Sequence, residues 1–96
     1  MSEFEQRMAS LVGKRALVGI TYVGVDGERR FQVHGVITRG VENVAIYLQT
    51  EGEEFSVPPE PDAFQPAAAG RYTLKTTGEV VDNPDVLAAW TVHPPG

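Results

Sequence analysis

RALVGITYVGVDGERRFQVHGVIT, residues 15–38, holds two runs rich in β-branched and aromatic residues, 15–25 and 29–38, on either side of Asp26-Gly27. Such runs suit a pleated, half-buried surface, and glycine tolerates the positive φ of a tight hairpin turn. With Asp26 and Gly27 as the two loop residues of a type I′ turn, Val25 faces Glu28 and every other cross-strand pair follows. Ala16 then stands opposite Ile37, Val18 opposite Gly35, Ile20 opposite Val33 and Tyr22 opposite Phe31, all on one face. A slip of one residue would turn that set toward solvent, so turn chemistry and alternation predict the same inward face.

The alternation continues downstream. Val44, Ile46 and Leu48 alternate inward along 44–49, and a turn at Glu51-Gly52 pairs Leu48 with Phe55 and Ile46 with Val57, completing a four-stranded meander. Pro58-Pro59 ends the fourth strand, because proline cannot donate to a sheet ladder. A loop follows to Ala69-Gly70, with Phe64 as a plug beneath it. A last hairpin is expected over 71–76 and 79–82 around Thr77-Gly78, with Tyr72, Leu74 and Val81 inward. Asn83 then caps a short helical turn begun by Pro84, and Trp90 and Val92 close a barrel. Upstream, Ser2 and Glu5 have the spacing of a capping box, and Phe4, Met8, Leu11 and Val12 form the apolar stripe of a helix stopped by Gly13. The expectation is a single mainly β domain, 1–96: a small five-stranded SH3-like or Sm-like barrel with an N-terminal helix over 1–12 and a loose tail at 93–96.

Composition narrows the function. The chain has no cysteine, which removes thiolate metal sites and thiol nucleophiles. No apolar run approaches the roughly 20 residues of a membrane span, and MSEFEQRM is acidic where a secretory leader would be basic, so a cytoplasmic protein with no membrane partner is expected. Thirteen acidic residues against eight basic ones give a net charge of −5, which makes nucleic acid an unfavoured partner. His34 and His93 lie far apart, and neither has a second ligand at helical spacing, so no metal site is expected. His34 as a general base near Thr21 or Tyr47 would lack an orienting carboxylate and a pocket. Glu53-Glu54 and Asp82 with Asp85 read as solvated turn charges. No catalytic residue and no cofactor are expected.

From Leu11 to Pro58 the chain resembles the first part of an Sm-like barrel, with Gly35, Ile37, Val44 and Leu48 on the apolar frame of the first Sm motif. The RNA-binding members carry an acidic residue where this chain has Val41 and an asparagine where it has Ala45, and the second motif is replaced by Pro58-Pro59. The resemblance thus implies the barrel without RNA binding. The stretch 76–85, ending near Trp90, resembles the C-terminal part of a family of small, uncharacterised bacterial proteins, which implies no activity.

The predicted register also makes the outer face apolar. Leu17 pairs with Val36 and Gly19 with His34, and a third-strand register matching Val36 to Ala45 and His34 to Tyr47 would gather Leu17, Val36, Ala45 and Tyr47 into one patch. A solvated sheet face should be polar, so the patch requires a cover. Either the N-terminal helix lies over it, or a partner or a second copy binds there with Gln32, His34, Tyr47 and Gln49 setting specificity. The expected function is a non-enzymatic module for a protein or small ligand; an Sm-like nucleic-acid binder is the alternative and a small enzyme the third reading.

Overall fold

The computed structural model of the chain describes residues 2–75 and 77–93. Strands β1 (Arg15–Gly24) and β2 (Gly27–Val41) form the expected hairpin and continue into β3 (Ala45–Gln49) and β4 (Glu54–Val57) as a meander. Two later strands, β5 (Gln65–Pro66) and β8 (Val86–Val92), complete a six-stranded sheet in the order β4-β3-β2-β1-β8-β5. A separate two-stranded hairpin is made by β6 (Arg71–Thr73) and β7 (Val80–Asp82). The fold is mainly β with one helix, and its main sheet has β4 and β5 as its two edges. Trp90 and Val92 join it through parallel pairing of β8 with β1, Trp90 beside Ile20 and Val92 beside Tyr22.

The first hairpin keeps its predicted faces but not its predicted partners. Val23 pairs with Glu28, Ile20 with Phe31, Val18 with Val33 and Ala16 with Gly35, a shift of two residues. The loop is Val25-Asp26, and Gly27 follows it at φ 123. A type I′ turn needs positive φ at both loop residues, whereas among the described non-glycine residues only Asn43 and Asn83 have it. The left-handed position has therefore settled on Gly27 alone, where it costs least. Side-chain direction repeats every two residues, so this shift changes which residues face each other without turning any of them over.

Between β3 and β4 the predicted pairs Leu48–Phe55 and Ile46–Val57 both form. Between β2 and β3 the expected register fails: Val36 pairs with Gln49, Ala45 with Val41, and Tyr47 with Arg39, so Leu17, Val36, Ala45 and Tyr47 make no continuous row. The chain turns later than expected, between Val41 and Ala45, which displaces the pairing by four residues, and a bulge between Ile37 and Arg39, with Thr38 as the extra residue, adds one more. Beyond it β2 reverses parity, and Gly40 turns inward beneath Met8, where a Cβ would stand 2.8 Å from the methionine Cε.

Helix α1 (Glu3–Leu11) carries the predicted capping box, with Ser2 and Glu5 exchanging side-chain and backbone hydrogen bonds. It covers the inner face, not the outer one: Met8 and Leu11 pack with Val18, Ile37, Ile46 and Leu48 in the main core. Its end is fixed there by Gly13 N–H to the Ile37 carbonyl and Ile37 N–H to the Lys14 carbonyl. Arg7 adds contacts to Glu3 and Asp62, which hold its guanidinium pKa above the ordinary value. Phe64 is buried as expected, edge-to-face with Trp90 at 5.6 Å.

The expected helical turn at Asn83-Pro84-Asp85 does not form. Asn83 takes φ 49 and exchanges hydrogen bonds with Gly70. Asp85 binds the Arg15 backbone through both its N–H and its carboxylate, so strand pairing begins at once with Val86. Residues 94–96 of the expected tail and Thr76 of the expected strand 71–76 lie outside the described residues.

Candidate functional site on the outer sheet face

The apolar outer face does need a cover at Leu17, and the cover is the hairpin of β6 and β7. Leu74, only 1% exposed, and Val81 form a second apolar cluster with Leu17, against which Tyr72 and Leu87 pack. Tyr72 and Val81 are paired across the two strands, and the Tyr72 hydroxyl donates to the Ala68 carbonyl.

Two of the four expected site residues lie under this hairpin. Gln32 Oε1 accepts the Lys75 backbone N–H at 2.8 Å, and His34 Nε2 lies 3.1 Å from Glu79 Oε2. His34 Nδ1 is buried without a partner among the described residues. The contact with Glu79 holds the ring in place against the β6–β7 hairpin. Thr50 and Glu51 of the β3–β4 turn join Gln32, His34 and Glu79 around a cleft of about 220 Å³. Tyr47 and Gln49 are engaged elsewhere. Arg39 lies 3.8 Å over the Tyr47 ring, and Gln49 Nε2 donates to the Thr50 and Glu53 carbonyls, bracing the turn.

On the other side of Gln32 is a groove of about 590 Å³. Sheet register shows how it is floored. Leu87, Leu17 and His34 form one rung across β8, β1 and β2; Ala89, Gly19 and Gln32 form the next; Thr91, Thr21 and Arg30 form the third. The first two rungs supply an apolar floor that dips at Gly19, where a Cβ would meet nothing within 4 Å. Tyr72, Ala63 and Gln65 wall it. The Gln65 amide is turned to the Asp62 carbonyl, while Gln32, held through its Oε1, keeps its NH₂ group without a protein acceptor among the described residues.

Another apolar hollow, about 580 Å³, lies at the tip of the β1–β2 hairpin beside Val92. Its walls are mostly the turn itself, with Val25 wholly exposed. The outer-face groove takes its walls from several packed segments, which hold a binding shape better than one ribbon end can. It offers an apolar floor and one amide donor. Among the described residues no three His, Asp or Glu side chains are placed to hold a metal ion, and no helix is long and apolar enough to cross a membrane.

Alternation alone put Gln32 and His34 on this face. Glu79, Tyr72, Gln65 and Thr50 were missed, because only tertiary docking brings them there. No protein-family model matches the chain, and neither the curated proteins nor the solved structures compared with it give a significant match.

Proposed function

We propose that the chain is a non-enzymatic binding module that takes a small, largely apolar ligand into the outer-face groove, on a sheet that is an opened form of the SH3-like or Sm-like barrel. The curl of the meander supports the barrel kinship: Phe31 on β2 and Phe55 on β4 meet edge-to-face at 6.1 Å although β3 lies between their strands. The observation that carries the function is the groove itself, whose volume falls within the roughly 300–1,000 Å³ of small-molecule sites and whose floor is apolar with one convergent amide donor. The net charge of −5 favours this reading over a nucleic-acid partner.

Gly19→Val tests it. A valine there projects into open space above the floor, and β-branched residues suit a strand interior better than glycine does. The variant should fold with stability unchanged or raised by up to about 1 kcal/mol, yet fail to bind. In an amide NMR titration with apolar ligands, wild-type shifts should centre on Gly19, Gln32, Gln65 and Ala89 and vanish in Gly19→Val. Shifts confined to the hairpin tip or to Tyr47 would refute the assignment.

A further inference from the structure

We infer that the groove's ligand is an amphiphilic carboxylate, an unbranched apolar chain with one anionic head; this rests on the groove being the binding site. The rung after Gly19 and Gln32 changes character abruptly. It carries Thr21 and Thr91 hydroxyls on adjacent strands with Arg30 beside them, about 7 Å further along the sheet. An apolar body lying over Gly19 would therefore end against two hydroxyls and a guanidinium. Lys75 is tied by its backbone nitrogen to Gln32, one rung back. The Gln32 NH₂ adds a donor where body and head would meet.

The acidic groups divide in a way that keeps this rim open to an anion. Glu79 and Glu51 lie in the cleft on the opposite side of Gln32, with Glu79 engaged by His34. Among the described residues Glu28 is the one carboxylate touching Arg30, through a single contact of 3.3 Å between side chains that are 73% and 53% exposed. Such a pair is worth little and is readily exchanged for a bidentate ligand carboxylate. A neutral amphiphile would leave Arg30 with nothing to gain, and a cationic one would meet Arg30 with like charge.

The test uses hexanoate, octanoate, decanoate, octanol and octylamine, titrated into wild type, Arg30→Gln and Gly19→Val at low and physiological salt. Octanoate should bind more tightly than octanol and octylamine, with affinity rising about fourfold per added methylene. Arg30→Gln should weaken octanoate about three- to tenfold, leave octanol unchanged and remove most of the salt dependence. Gly19→Val should abolish binding of all chains. If octanol matches octanoate and Arg30→Gln changes neither, while Gly19→Val still blocks both, the carboxylate inference falls and the groove stands. If Gly19→Val leaves binding intact, the groove reading itself falls.

Discussion

Leu74→Ala should release the hairpin of β6 and β7 from the sheet while leaving the sheet folded. In a rigid core a leucine truncation costs about 2–5 kcal/mol, the sum of lost transfer energy and a residual cavity. Leu74 is 1% exposed, but its cluster is small: Leu17 and Val81 are its buried members, with Tyr72 and Leu87 at the margin. A hairpin of two three-residue strands is marginal alone, so its order rests largely on this docking. Removing about 2–3 kcal/mol from that docking should lower hydrogen-exchange protection of 71–82 by roughly 30- to 150-fold, at tenfold per 1.4 kcal/mol. The same measurement should show β1 to β3 nearly unchanged. Leu48→Ala, in the main core, should instead lower protection throughout. A uniform loss in Leu74→Ala would show that hairpin and sheet open together. Selective loss of protection at 71–82 on deleting residues 1–12 would make the helix the true support of the outer face.

Two glycines of β2 should respond very differently to alanine. At Gly35 a Cβ would stand 2.6 Å from the Gln49 carbonyl oxygen and 2.9 Å from its carbon, backbone that cannot retreat without parting β2 from β3, so Gly35→Ala should cost about 3 kcal/mol or more. At Gly40 the obstacle is the end of the flexible Met8 side chain, and Gly40→Ala should cost about 1 kcal/mol. Urea midpoints at constant m-value would check both, and equal costs would contradict the packing described for the bulge. Ser2→Ala should lower stability by about 0.5–2 kcal/mol through loss of the cap, seen as reduced protection in the first turn of α1; no change there would deny the capping box a role.

Much of the inner face was legible in sequence because it depends on parity. Ala16, Val18 and Ile20 are buried whichever of two registers differing by two residues is adopted, so misplacing the turn did no harm to the predicted core. The β3–β4 pairing was legible because the turn between those strands is short and local. What failed needed more than alternation. The β2–β3 turn, between Val41 and Ala45, sets the pairing four residues from the expected register and carries Tyr47 away from His34, and nothing around Thr38 announces the bulge that reverses the parity of β2 beyond it. The site was half legible for the same reason: Gln32 and His34 follow from alternation along β2, whereas the His34–Glu79 contact spans 45 residues and has no local signature.

The groove follows from the one connection that local reading could not supply. β8 runs parallel to β1, and parallel neighbours cannot be joined by a tight turn. After β4, at one edge of the sheet, the chain must cross to the far side of β1 before β8 can pair. The crossover begins on the helix side, where Arg7 contacts Asp62 and Phe64 packs on Trp90, and reaches the sheet's other edge as β5. It then continues over the outer face as β6 and β7 before Asp85 anchors it to Arg15. The floor of the groove therefore belongs mainly to β1 and β8, with β1 hydrogen-bonded on both sides, while its walls, Tyr72, Ala63 and Gln65, belong to the crossover. On the proposed reading, binding draws on the crossover walls and the sheet floor, whereas global stability rests on the inner-face core, so that binding and global stability are governed by largely different residues. Gly19 is where the two can be separated: it lies on the floor, yet its missing side chain is part of the groove's volume and not of the core's.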